Sequence, residues 1–216
     1  GAPVPRIPKL GRLTHWDQAI EAVQYLLKED HDRETVVVDV INSIADLAKQ
    51  HICTRDYGGL WKSKRGQEGF NAWGYGDKDT CQEFKRFLHG LDLLREKRKM
   101  WVILLAHEGL HRHGNVFGDD FQKIGGAVHK LIWEEILRWS DQVGHATKDF
   151  IAVKKEGEKA AKPKGDNKRI LYFEGGPGRD AKARAGYEMP ASMKFSYKTY
   201  ELALLESKTK YKETWS

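Results

Sequence analysis

The sequence predicts an α/β fold, a doubly wound and mainly parallel sheet flanked by helices, followed by a β-rich basic C-terminal part. Three observations predict it. Thr35-Val-Val-Val-Asp39 and Trp101-Val-Ile-Leu-Leu-Ala106 are short apolar runs bounded by polar residues, as in strands buried on both faces. Apolar residues at helical spacing precede and follow each run. Beyond residue 142 two strand-like segments flank a lysine-rich stretch.

The elements follow in order. Gly1-Ala2-Pro3 reads as a tag scar or the start of a fragment, and Pro3, Pro5 and Pro8 form an irregular entry. Thr14-His-Trp-Asp17 reads as a capping box, and Trp16, Ala19, Ile20, Val23 and Leu27 mark the inner face of a first helix. A charged turn, Lys28 to Glu34, leads into the first strand, and Ile41, Ile44, Ala45 and Ala48 predict a second helix over 41–50. From Tyr57 to Lys78 the pattern dissolves into Gly, Lys and aromatics, a long loop of the kind that usually carries function. Thr80-Cys-Gln-Glu83 reads as a second capping box, opening a helix with Phe84, Phe87, Leu88, Leu91 and Leu94 inside. After the second strand a polar, His-rich loop runs to about Gly126, then a helix passes through Val128, Leu131, Ile132, Ile136 and Trp139. Val143–Val153 and Arg169–Glu174 read as strands joined by Lys154–Lys168, and a short helix lies near Tyr200–Lys208. There is no internal repeat.

Composition excludes several classes. Seven Trp, eight Phe and eight Tyr among 216 residues rule out a disordered chain. No apolar run approaches the roughly 18 residues of a spanning helix, so no membrane span is expected. Cys53 and Cys81 cannot build a disulfide framework and fit a reducing cytoplasm. The net charge of +6 is located: residues 1–150 balance, while in residues 151–216 Lys and Arg outnumber Asp and Glu 15 to 9. A basic C-terminal third points to a polyanion such as nucleic acid, or simply to a solvated surface.

In a doubly wound sheet ligands sit outside the carboxyl ends of the strands, which singles out Asp39 and His107. A carboxylate at such a tip can hold the water shell of a magnesium ion bridging nucleotide phosphates, and it can equally cap the next helix. His107-Glu108-Gly-Leu-His111 matches the zinc-protease pattern H-E-x-x-H, with His113 nearby. That chemistry requires a helix, whereas here the motif follows a strand, Gly109 and Gly114 weaken any helix, and Phe117 stands where a third His is wanted. Glu134 or Glu135 could serve as that ligand, but the preferred reading is a strand tip followed by loop. Lys62, Lys64 and Arg65 interleave with Trp61, Phe70, Trp73 and Tyr75, the basic-aromatic mix that grips single strands. Some of these rings can instead pack into the core. Arg112 joins the same nucleic-acid-binding set. Lys182 and Arg184 lie two residues apart, so an extended segment points both to one face, for a ligand or for surface carboxylates.

The motif order carries a resemblance. The helix led by Trp16-Asp17, the Val-Val-Val-Asp39 strand, Gly74-Tyr75-Gly76, Glu83-Phe-Lys-Arg-Phe-Leu, Leu105-Ala106-His107, Trp139-Ser-Asp141, Arg169-Ile-Leu-Tyr and Asp180-Ala-Lys-Ala-Arg184 form the series. Together, over about residues 4–192, they resemble phage-encoded, RecA-like ATP-binding proteins of the AAA type, linked to single-strand annealing, recombination and repair. The resemblance implies a RecA-like core over 1–192, a tail over 193–216, and ATP and Mg2+ as cofactors. Asp39 would position magnesium through water, and His107 would be the sensor group. Lys182 and Arg184 would act across a subunit boundary of a homo-oligomer, as an arginine finger does. Single-stranded DNA and phage recombination or replication proteins are the implied partners, with no membrane, in the host cytoplasm. The sequence departs from the family in two places: it contains no G-x-x-x-x-G-K-S/T phosphate loop, and Val40 stands where Ser or Thr usually follows the Asp. Either the chain is a fragment or a relative that lost ATP binding. The rival readings are a zinc hydrolase on His107, Glu108 and His111, and a DNA-binding or assembly module without catalysis.

Overall fold

Helix α1 (Trp16–Lys28) opens where Gln18 reaches back: its Oε1 accepts the backbone N–H of Thr14 at 2.7 Å and of His15 at 3.2 Å. The reciprocal partner at this cap is therefore Gln18 rather than Asp17. The structure, a computed structural model, describes residues 11–116, 118–148, 151–153, 162–164 and 168–214. The prolines at 3, 5 and 8, Phe117 and most of Lys154–Lys168 lie outside the described residues. The chain divides into two compact units, one holding residues 1–109 and 126–138, the other 110–125 and 139–216.

In the first unit α1 is followed by β1 (Thr35–Asp39), α2 (Ile41–Tyr57), α3 (Tyr75–Arg98), β2 (Trp101–Leu105) and α4 (Lys130–Trp139). Helix α2 runs past residue 50 and stops at Gly58, whose positive φ of 57° lets its N–H bond back to the Cys53 carbonyl. Helix α3 begins five residues before Thr80. The Thr80 hydroxyl donates to the Gly76 carbonyl one turn back at 2.7 Å, so this residue is helix interior and not a cap.

Strands β1 and β2 are parallel, in register from Thr35 opposite Trp101 to Asp39 opposite Leu105. Their burial alternates. Val36, Val38, Val102 and Leu104 face inward, whereas Val37 and Ile103 are 46% and 44% exposed. The expected burial on both faces therefore fails: one face of this pair is uncovered among the described residues. Trp16, Phe84 and Phe87 pack at centroid distances of 5.8–6.2 Å, Trp16 stacked on Phe84 and the other pairs tilted, and form the aromatic centre of the α1–α3 core.

Glu108–His113 and Phe121–Gly126 are not loop but paired strands, β3 and β4. The second unit continues with β5 (Gln142–Val143), β6 (His145–Lys148), β7 (Ile151–Val153), β8 (Lys162–Lys164), β9 (Arg169–Tyr172), β10 (Lys182–Ala183), β11 (Ser192–Lys194) and α5 (Tyr197–Thr214). Strands β6, β9 and β11 form an antiparallel sheet with β9 central, and β5–β10 and β7–β8 are antiparallel pairs. The fold is α/β, but among the described residues the parallel ladder is that of β1 and β2, accompanied by one isolated parallel bridge between Ile124 and Arg179, so the mainly parallel sheet is not seen. Short antiparallel connections replace the crossover helices that a longer parallel sheet needs. No helix among the described residues is long and apolar enough to cross a membrane.

Candidate functional site

At the carboxyl end of the parallel pair, Asp39 lies opposite Leu105, two residues before His107. The Asp39 carboxylate is exposed and meets no donor among the described residues. Next to it, in the first turn of α2, Asn42 ties the tip together. Its Oδ1 accepts the His107 N–H at 2.9 Å, its Nδ2 donates to the Ala127 carbonyl at 2.6 Å, and the Ala127 N–H donates to the His107 carbonyl at 2.7 Å. The backbone of His107 is thus fixed from both sides while its ring is exposed. A further close approach fixes the same corner, since a Cβ on Gly109 would stand 2.8 Å from Ala127 Cα.

The second neighbourhood is the segment joining α2 to α3. Phe70 is fully buried, its ring 5.6 Å from Tyr57 and 5.1 Å from Trp61, with the Lys49 ammonium 5.2 Å from its centroid. The Phe70 N–H donates to the Leu60 carbonyl at 2.8 Å and the Asn71 N–H to that of Trp61 at 3.0 Å. Lys64 and Gln67 close a tight turn by exchanging backbone bonds of 2.9 Å. A Cβ on Gly76 would sit 2.5 Å from the Phe70 ring, so glycine is required there. On this frame Trp73, at φ 54°, is 81% exposed, and Tyr75 is exposed beside Lys78. Lys62, Lys64 and Arg65 are exposed and meet no carboxylate among the described residues. Of the four rings in the sequence motif, Phe70 is the anchor, Trp61 leans on it, and Trp73 and Tyr75 face outward.

The H-E-x-x-H residues do not converge. His107 stands just before β3 and His111 within it, four residues or about 13 Å apart along extended chain, where zinc chemistry needs the two His one helical turn apart. No group of three or more His, Cys, Asp or Glu among the described residues could hold a metal ion. Arg112 on β3 pairs with Asp120, Nη2 to Oδ2 at 2.9 Å. Arg184 is held by Asp141, its Nη1 donating to Oδ1 at 3.1 Å and its N–H to the Asp141 carbonyl at 2.9 Å. Burial, and next the like charge of Arg184, pushes the pKa of Lys182 down.

The model of one family, described as AAA domain, matches residues 1–185 of the 216. The chain belongs to the AAA domain family. Neither the curated proteins nor the solved structures yield a match to it. In this AAA domain chain Asp39 is the strand-tip carboxylate that would hold a magnesium ion if one is bound. An exposed carboxylate at a strand tip, with no donor among the described residues, suits a hydrated magnesium, which keeps most of its waters and takes few protein ligands. When bound, the ion would neutralise phosphate charge. The phosphate cradle itself has no counterpart in a G-x-x-x-x-G-K-S/T segment of this sequence.

Sequence reasoning missed Asn42 and Glu83 as organisers of the AAA domain chain. The sequence pattern predicts Glu83 as half of a cap, yet its buried carboxylate accepts from Trp16 Nε1 at 2.9 Å, Arg86 at 2.8 Å and Arg55 at 3.1 Å. The signal was a carboxylate on the same helix face as Phe84 and Phe87. For Asn42 it was a lone amide in the turn after a strand-tip carboxylate.

Proposed function

We propose that this AAA domain chain binds nucleotide and acts on single-stranded DNA in recombination, annealing or repair, on a RecA-like core. The observation that carries the proposal is the α2–α3 connection. It presents two outward rings and three exposed cations, which meet no carboxylate among the described residues, on a frame locked by Phe70. Such a surface takes phosphates on its cations and bases on its rings without reading sequence. Family membership supports the nucleotide half, with Asp39 placing magnesium through water and His107 as the neighbouring polar sensor. In the same reading Lys182 and Arg184 serve a neighbouring subunit of a homo-oligomer, which requires the Arg184–Asp141 pair to open.

A second reading, a DNA-binding or assembly module without catalysis, is favoured by the lack of a phosphate-loop motif in these residues. Titration with ATP and Mg2+ by calorimetry, run beside titration with labelled oligothymidylate, separates the two. Saturable binding of both supports the nucleotide-dependent reading. DNA binding alone supports the module, and binding of neither discards both. With three cations engaged, the slope of log K against log salt should reach about −2.

A further inference from the structure

In the β6–β9–β11 sheet the register sets Lys148 directly opposite Arg169. The Phe195 N–H donates to the Arg169 carbonyl at 3.0 Å, which continues the β11–β9 register one residue past Lys194 and places Phe195 on the other side of Arg169. Side chains opposite one another share a face, so Lys148, Arg169 and Phe195 form one row across three strands, about 10 Å long. The row is open to solvent, with Phe195 48% exposed.

The row does little for the fold. Like charges directly opposite each other destabilise a sheet, and neither cation meets a carboxylate among the described residues. The packed part of this face lies further along, at Leu171 and the buried Met193. On the opposite face the Tyr172 ring is covered, with the Arg179 guanidinium 3.8 Å from its centroid. Phe195 is thus an open ring in line with two cations that meet no carboxylate among the described residues. In the sequence, Lys148 and Arg169 also bracket the stretch 154–168, where six lysines stand against three carboxylates.

We infer that the Lys148–Arg169–Phe195 row is a second contact surface for single-stranded nucleic acid, with adjacent phosphates on the two cations and a base on the ring. It goes beyond the α2–α3 connection and rests on its own residues. A ring in the row favours nucleic acid over a polyanion without bases, because only a base gains by stacking there.

The test measures fluorescence anisotropy of labelled oligothymidylate on the full chain, with inorganic polyphosphate as competitor and thermal unfolding alongside. Lys148→Ala with Arg169→Ala should weaken DNA binding about tenfold or more and flatten the salt slope by about 1.4. Its melting temperature should be unchanged or raised, since a repulsion is removed. Phe195→Leu should weaken DNA binding about fivefold or more while polyphosphate competes as before. Wild-type affinity in the double variant overturns the inference, as does lost binding accompanied by a lowered melting temperature. A silent Phe195→Leu overturns the assignment to nucleic acid. The Lys62→Ala, Lys64→Ala variant runs in parallel: if it is silent while the row variant weakens, the row stands and the loop reading falls. If only the loop variant weakens, the reverse holds.

Discussion

The indole Nε1 of Trp16 donates to Oε1 of Glu83 at 2.9 Å, joining α1 to α3 through a buried carboxylate. Burial alone would push the Glu83 pKa up, but hydrogen bonds from Trp16, Arg86 and Arg55 outweigh it and hold it below the usual carboxylate range. A depressed folded pKa contributes stability that is present above the unfolded value, about 4.3, and lost as pH falls through the folded one. Glu83→Gln should therefore cost about 1–3 kcal/mol at pH 7, the range for orphaning a buried partner. Urea unfolding at falling pH checks it: the gap between variant and wild type should shrink below about pH 4. A gap independent of pH would contradict the assignment.

Phe70 determines whether the α2–α3 connection keeps its form. Phe70→Ala should cost about 3–5 kcal/mol, as for a fully buried ring. Gly76→Ala should cost about 1–3 kcal/mol by forcing a methyl group into the Phe70 ring. Both should raise protease sensitivity between residues 58 and 74. Limited proteolysis with mass analysis reads this directly, and a cleavage pattern unchanged from wild type would show that Phe70 is not the anchor.

Asn42→Ala removes one donor and one acceptor at the strand tip, at about 1 kcal/mol. The local consequence is sharper than the global one. Amide exchange at His107 should quicken, because its N–H loses its acceptor, while exchange within α3 should change little. Asn42→Asp keeps that acceptor and should protect His107 more than Asn42→Ala does. Equal exchange at His107 in all three proteins would remove Asn42 from this role.

What was legible in the sequence was the alternation of helices with apolar strands. Val36 to Val38 and Val102 to Leu105 are strands, and Ile41, Ile44, Phe84 and Leu91 are inside as their spacing requires. The strand composition misled in one respect: Val37 and Ile103 are as apolar as their neighbours, so residue type could not show that their face is uncovered. The start of α3 was illegible because Tyr75-Gly-Asp-Lys-Asp79 has no apolar period; its first turn is held by Phe70 against Gly76, a tertiary contact. Strand β3 was hidden because Glu108 to His113 carries no apolar alternation to mark a face. Of the candidate site, Asp39 and the cations at 62, 64 and 65 were readable as chemistry. The division of labour between Phe70 and Trp73 was not, since both are aromatic and burial alone separates them.

In the proposed function the cations and rings outside the Phe70 anchor bind single-stranded DNA. Anisotropy titration of labelled oligothymidylate at low salt tests it most directly, comparing wild type, Lys62→Ala with Lys64→Ala, and Trp73→Ala. Trp73 is 81% exposed, so its removal should leave the melting temperature within about 1 °C, as should loss of two solvated lysines. The lysine variant should bind more weakly with a salt slope flattened by about 1.4, and Trp73→Ala should lose about fivefold or more at an unchanged slope. Both variants binding with wild-type affinity and slope, while equally folded, would contradict the claim.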